Sequence, residues 1–540
     1  MKPARILVLL TMWQWHTCAQ TDSVACGSCH EDQVAAIQRS QHAALTCQHC
    51  HAGVGEFPHA EPLTQTPCQA CHREEQLQFE KGAHGHALAA GNAQAPGCIA
   101  CHRDVHEVSA AARLLDAEHL ETTCGRCHAT ITKEFIASLH GQAQQQGKRD
   151  APTCTTCHGA HANQGFKTTD GVVSPSQVRD TCADCHGNVR LAQRNRLPLD
   201  RVTSFDRSFH GLSARAGSVT AANCASCHGV HHILPSTDPR SSIHVSNLPR
   251  TCGQCHPQVS QQFATAATHW LEGENEAVPV RWVRQIYLTL IPLTIGLMTI
   301  HNLGDFVRKW LGLVRNRLRP SSQTRATLRM LPVERVLHGL LAVSFLVLVW
   351  SGFALRYPDL WISRPLLWGE AQWSLRGMAH RAAAVVLVAV SVAHVVTLCR
   401  KPRLREHWRE LWPRPQDFRE AWWMFTYNVG LRRQRPLVST HSYVEKVEYW
   451  AVVWGTGVMA LTGFLLWADR FTFAWLPRAW VDAAAALHFY EAVLASLAIL
   501  VWHFYFVIFD PEVYPVDSAW LNGVSSRRPL QTEPPQVSGD

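Results

Sequence analysis

The pattern Cys-x-x-Cys-His occurs nine times in this 540-residue chain. The copies are Cys26-Cys29-His30, Cys47-Cys50-His51, Cys68-Cys71-His72, Cys98-Cys101-His102, Cys124-Cys127-His128, Cys154-Cys157-His158, Cys182-Cys185-His186, Cys224-Cys227-His228 and Cys252-Cys255-His256. Of the 20 cysteines, only Cys18 and Cys399 stand outside them. The spacing is the attachment signature of c-type haem, in which two thiols form thioethers to the porphyrin and the adjacent His reaches the iron. Zinc sites need four ligands at finger-like spacing, and a redox dithiol needs no His. The expectation is nine covalent haem c groups, with the nine motif histidines as proximal ligands.

The haem-rich segment repeats. A motif is followed by an aliphatic or aromatic residue and a stretch ending in His. A second motif then follows, with another His a few residues on. The units run His30, Ile37, His42, His51, His59; His72, Phe79, His84, His102, His106; His128, Phe135, His140, His158, His161; and His186, Phe205, His210, His228, with His231 or His232. A half unit closes the series with His256, Phe263 and His269. The spare histidines His42, His59, His84, His106, His140, His161, His210, His231 and His269 are candidate second axial ligands. Filling both axial positions leaves electron transfer as the iron's chemistry. His49, His86, His119 and His244 fall outside the offsets and read as surface residues. With so little other core, short helices at the motifs and long loops between them are expected.

Lys2 and Arg5, the apolar run Ile6 to Trp13, and Thr17-Cys18-Ala19 make residues 1–19 a secretory signal, too short to span a bilayer. Cys18 as an acylated lipoprotein residue is the alternative. Residues 20–275 then form an exported nine-haem domain. From about residue 281 long apolar runs appear, so the pooled net charge of +8 describes neither half. Five segments are long enough to cross ~30 Å of hydrocarbon: about 283–303, 335–356, 376–399, 448–468 and 483–509. The connection after the first carries Arg308, Lys309, Arg315, Arg317, Arg319, Arg325 and Arg329. That after the third carries Arg400, Lys401, Arg403, Arg405, Arg409, Arg432, Arg433 and Arg435. Basic connections stay inside, which places the haem c domain in the periplasm and the chain, multi-pass, in a bacterial cytoplasmic membrane. The expected fold is mostly α: a haem-packed multihaem domain plus a five-helix transmembrane bundle over 281–512. A cytoplasmic tail, 513–540, is expected to lack order, with Asp510 to Tyr514 packing on the bundle.

Histidines at membrane depth are costly and mark function. His380 and His394 share a face of the third segment, as do His488 and His503 on the fifth. At 1.5 Å per residue each pair spans roughly 21–23 Å, which stacks two b-type haems, one per leaflet. The outer haem takes His380 and His488; the inner takes His503 with either His338 or His394. His301 sits at the inner end of the first segment. Candidate proton carriers are Glu445, Lys446 and Glu448 inside and Glu491 outside. Arg381, beside His380, is expected to pair with a haem propionate.

Arg335-x-x-His338, the Leu-rich run after it and Ser351-Gly352 resemble the cytochrome b subunits of nickel–iron hydrogenases and formate dehydrogenases, of bacterial cytochrome b561 type. Tyr427-Asn428-Val429-Gly430 is similar to the quinone-contacting loop of the formate dehydrogenase subunit. The resemblance implies that Asn428 and Gly430 face quinone near the inner haem, and that His338 pairs with His503 and His380 with His488. His394 and the extra first helix depart from that pattern. The fusion as a whole resembles the Cbc-type quinone:cytochrome oxidoreductases of metal-respiring bacteria. That resemblance implies oxidation of quinol, of the menaquinol type, with electrons passing through two haem b to nine haem c and on to periplasmic c-type cytochromes in anaerobic or extracellular respiration. A multihaem terminal reductase and an electron-transfer subunit of a hydrogenase or formate dehydrogenase complex are the alternatives. Besides the membrane and its quinone pool, a homo-oligomer is compatible with the sequence, and nothing in it points to nucleic acid.

Overall fold

The computed structural model describes residues 26–52, 64–103, 105–108, 117–165, 171–264, 268–269, 276–315, 327–367, 375–436 and 442–525. The expected signal at 1–19, His59 and the last residues, 526–540, lie outside the described residues. The chain is mostly helical and divides into two compact units. One comprises Met1–Val202 with Val219–Thr251; the other comprises Thr203–Ser218 with Cys252–Asp540.

Within the haem-motif segment, two local designs alternate. After the first motif of a repeat, a helix begins directly behind the motif His. Examples are Glu31–Arg39, Arg73–Lys81 and Ala129–Ala137. A short second helix then carries the spare His, as in Leu139–Gln145 and Phe209–Arg215. Ser138 and Ser208 cap these second helices, their Oγ atoms accepting from Gly141 N and Gly211 N at 3.2 and 3.1 Å. Such a cap satisfies a backbone donor that the first turn leaves open. The Gly after the spare His is dictated by close approach. A Cβ at Gly85, Gly141 or Gly211 would lie 2.0, 2.1 or 2.0 Å from the carbonyl oxygen of Phe79, Phe135 or Phe205. The second motif of a repeat is itself a five-residue helix, as in Cys98–His102, Cys154–His158 and Cys224–His228. It stops at Arg103, Gly159 or Gly229 in positive φ, and the next His follows within four residues.

All five expected spans are present as helices. We label α1 Val278–Arg315, α2 Pro332–Arg356, α3 Leu375–Arg400, α4 Pro415–Asn428, α5 Tyr443–Trp467 and α6 Arg478–Ala498. α6 continues through the π-helical turns Ile499–His503 and Tyr505–Phe509. All but α4 are long and apolar enough to cross a membrane. α2 packs on α3, both α1 and α5 pack on α6, and α4 packs on α1. Burial is inverted relative to a protein in water. Val343, Trp454, Leu461 and Phe464 are exposed, while Ser344, Ser351, Asp305 and Thr462 are buried. A hydrocarbon solvent asks for this arrangement, since it has no partner for polar groups.

Asp510 packs on the bundle, and part of the tail beyond it is ordered. Lys309 Nζ bonds Asp510 at 2.8 Å, and Asp510 is only 2 % exposed. Ala519–Asn522 is helical, and Val524–Ser525 pairs antiparallel with Thr327–Leu328. A backbone ladder thus holds Val524 and Ser525, which composition assigned to a loose tail, while the buried ion pair packs Asp510 on the bundle. The Tyr427-Asn428-Val429-Gly430 stretch is not wholly loop. Tyr427 and Asn428 end α4, and Gly430 turns the chain with φ 92°.

Candidate haem sites

Among the described residues, eighteen histidine rings fall into nine facing pairs. In the haem-motif segment, ring centroids lie 6.0 Å apart for His42 and His72, 6.1 Å for His51 and His106, and 6.1 Å for His84 and His128. They lie 6.2 Å apart for His102 and His161, 6.2 Å for His140 and His186, 6.1 Å for His158 and His231, and 6.0 Å for His210 and His256. In the bundle, His338 faces His503 at 6.3 Å and His380 faces His488 at 6.2 Å. An iron bonded at about 2 Å to the near nitrogen of each of two imidazoles holds the ring centroids roughly 6 Å apart. The residues therefore fit bis-histidine haem at both kinds of site.

The pairing obeys a rule that spacing alone does not reveal. The spare His of a repeat's first half faces the motif His of the next repeat: His42 to His72, His84 to His128, His140 to His186, His210 to His256. The spare His of a second half faces the motif His of the preceding repeat: His106 to His51, His161 to His102, His231 to His158. Between His231 and His232, the geometry selects His231. His269 places Nδ1 3.0 Å from Ser204 Oγ.

Burial pushes His84, His102, His140, His158, His186 and His228 below the usual imidazole range, and His210 down to about 4. A neutral ring keeps the lone pair that a metal needs. His84 Nδ1 also meets the side-chain amide of Asn163 at 2.6 Å. A cleft lined by Cys255, His256, Pro257, Asp469, Arg470 and Phe473 adjoins the ninth motif. Phe473 stands edge-on to His256 at 5.0 Å and packs on Phe263 at 4.1 Å.

In the bundle, hydroxyls orient the pair His380 and His488. Ser351 Oγ donates to Val347 O at 2.6 Å and lies 3.0 Å from His380 Nδ1. Thr462 Oγ1 donates to Val458 O at 2.7 Å and lies 2.9 Å from His488 Nδ1. Each hydroxyl has spent its hydrogen on the helix, so it accepts from the imidazole N–H and leaves Nε2 free for iron. Gly352 and Gly463 bring the neighbouring helices against these rings. A Cβ at either would lie 3.2 Å from His380 Cε1 or 3.3 Å from His488 Cε1. At the pair His338 and His503, Glu448 Oε1 lies 3.6 Å from His503 Nδ1.

Of the two candidates for the place opposite His503, the bundle puts His338 there. His394 instead lies 3.3 Å from Tyr449 Oη, so it stands outside the imidazole pairs. Arg381 lies over the Trp467 ring, 5.7 Å from its centroid. Glu491 is buried and accepts from Tyr287 Oη at 2.7 Å. Glu445 pairs with Arg329 at 3.0 Å, and Lys446 with Asp417 at 2.7 Å. Asn428 is buried, with Nδ2 donating to His301 O at 3.3 Å and Oδ1 without a partner. Spacing missed Thr462, and Ser351 entered only through the resemblance, with no contact to His380 assigned to it. A Ser-Gly dipeptide on α2 and Thr-Gly on α5 were the available signals for these two.

Helices carrying two facing imidazole pairs define a membrane b-type cytochrome module, whose role is electron transfer. Residues 329–517 match the family model for prokaryotic cytochrome b561, which covers α2 to α6. The match leaves out α1 and the haem-motif segment. Searches of curated proteins and of solved structures return no match.

Proposed function

We propose that this protein oxidises membrane quinol at the inner end of its bundle and delivers the electrons outward, through two haem b and nine haem c, to a periplasmic c-type cytochrome. The observation that carries the reading is that histidine pairs of one spacing occur both in the bundle and in the motif segment. Bound haem would supply reversible one-electron exchange, and at the nine sites where two imidazoles face each other no position would be left for a substrate. His30, His51, His72, His102, His128, His158, His186, His228 and His256 would hold the covalent groups with their paired cysteines. His338 with His503 and His380 with His488 would hold the removable ones. His210 and His256 both belong to the compact unit that contains the bundle, which supports the ninth motif as the first recipient outside the membrane. Asn428, beside Gly430, offers a buried unpartnered carbonyl oxygen suited to a quinol hydroxyl. Glu491, which accepts from Tyr287 Oη, is the candidate proton carrier towards the outer end of the bundle. The basic connections after α1 and α3 support an inside location for the end bearing His338 and His503.

The test has two stages. A pyridine haemochrome of detergent-purified protein, with acid–acetone extraction, is expected to give nine retained and two extractable haems per chain. Menadiol is then expected to reduce all of them. A chain with extractable haem that menadiol leaves oxidised would overturn the quinol reading. Carbon monoxide binding by the reduced wild-type protein would instead favour a terminal reductase.

A further inference from the structure

α1 lies outside the family match, yet it brings a buried polar cluster to the inner histidine pair. His301, Asn302 and Asp305 on α1 are 6, 5 and 6 % exposed, in a helix otherwise apolar at this depth. His301 packs on Trp502, the neighbour of His503, with ring centroids 5.0 Å apart. Its Nε2 lies 2.6 Å from Tyr443 Oη of α5, and its Nδ1 lies 3.2 Å from Asn302 Oδ1.

These contacts fix where the protons sit. Asn302 Nδ2 donates to Val501 O at 2.6 Å, a carbonyl in the π-helical turn of α6. That orients the amide, so Asn302 Oδ1 must accept from His301 Nδ1–H. His301 Nε2 then carries a lone pair and accepts from the Tyr443 hydroxyl. The Tyr443 oxygen keeps lone pairs of its own. Two further atoms around His301 are unsatisfied: Trp502 Nε1, a donor, and Asn428 Oδ1, an acceptor. Orphaned buried polar atoms are rare and call for an explanation. A donor and an acceptor flanking one proton-accepting pair match the two oxygens of a quinol.

We propose that α1 makes this a proton-coupled site, with Tyr443 as the catalytic residue and His301 as the relay behind it. The inference rests on the quinol reading above. The O–H bond of the quinol breaks, an O–H bond forms at Tyr443, the original Tyr443 O–H bond breaks, and an N–H bond forms at His301 Nε2. The quinol gives up two electrons, one at a time, to the haem oxidant already named. After the first proton moves on, the step repeats for the second, leaving quinone. Asp305, one turn along the same face, accepts from Tyr505 Oη at 2.7 Å and from Lys309 at 2.6 Å. Lys309 also bonds Asp510 at 2.8 Å and reaches Glu512 at 3.9 Å, which pairs with Arg435 at 3.5 Å. This row of charged groups leads from His301 towards the basic end of the bundle.

The test uses full-length protein with menadiol as donor. Tyr443→Phe removes one oxygen and keeps the ring. His301→Gln keeps a hydrogen-bond acceptor but cannot take up a proton. Both variants are expected to retain wild-type haem content and dithionite-reduced spectra. Each is expected to lose about 10²-fold or more in menadiol-driven kcat, with a solvent deuterium isotope effect altered from wild type. Redox-difference infrared spectra of ring-labelled wild type are expected to show histidine protonation, absent from His301→Gln. Wild-type rates in both variants, or rescue by Gln with an unchanged isotope effect, would overturn the relay and leave the quinol reading standing. Failure of menadiol to reduce wild-type protein would remove the quinol reading itself.

Discussion

His84, a spare histidine of the second repeat, faces His128, the motif histidine of the third, with ring centroids 6.1 Å apart. An iron between them would tie one repeat to the next, so each such site stitches neighbouring units. His84→Ala is therefore expected to open one iron, in the group attached at Cys124 and Cys127, and to create carbon monoxide binding equal to one haem per chain. His86→Ala, two residues on at an exposed position, is expected to create none. A carbon monoxide difference spectrum decides; equal binding by both variants would refute the pairing.

The hydroxyl of Ser351 accepts from His380 Nδ1, making the imidazole a stronger electron donor to its metal. Ser351→Ala removes that acceptor from a buried site, which weakens the stabilisation of ferric iron. The midpoint potential of one extractable haem is expected to rise while the other stays put. Thr462→Val, acting on His488, is expected to move the same haem in the same direction. Spectroelectrochemical titration of both variants checks this, and a shift in the other haem would contradict the assignment of His380 and His488 to one site.

Much of this was legible in residue order, for a physical reason. Thioether attachment fixes two cysteines and a histidine within five residues, so Cys-x-x-Cys-His is a local signature. The apolar spans were equally plain because bilayer thickness sets helix length. What escaped is what depends on tertiary contact. The spare histidines are regular in sequence, yet His42 faces the motif His of the repeat after its own and His106 that of the repeat before. His394 has spacing as good as His338, but α3 turns it to Tyr449, and α2 supplies the partner of His503. Residues 519–525 read as tail because their partners, Thr327 and Leu328, are about two hundred residues away in the chain.

Gly463 is held against His488, where a Cβ would stand 3.3 Å from Cε1. The ring must yield a few tenths of an ångström to accept Ala and much more to accept Val. Gly463→Val is expected to displace His488 from its place opposite His380, lowering extractable haem from two per chain to one. Covalent haem should be unchanged. Gly457→Val on the same helix, with nothing within 4 Å of its Cβ, is expected to keep two. Retention of both haems in Gly463→Val would show that α5 does not constrain the ring.

Lys446 and Asp417 form an ion pair at 2.7 Å, with side chains 5 and 9 % exposed, joining α5 to α4. Charges this deeply buried have lost their water, so their mutual attraction offsets a desolvation cost rather than adding a large surplus. Removing one partner exposes that cost. Lys446→Met leaves the Asp417 carboxylate facing an apolar side chain and is expected to destabilise the bundle by about 3–5 kcal/mol. The double variant Lys446→Met with Asp417→Leu removes both charges and is expected to recover most of the loss. Thermal unfolding in detergent, followed by the release of extractable haem, measures the cycle. If the double variant were no more stable than Lys446→Met alone, the uncompensated carboxylate would not be the cause, and loss of the Lys446 side-chain packing would be.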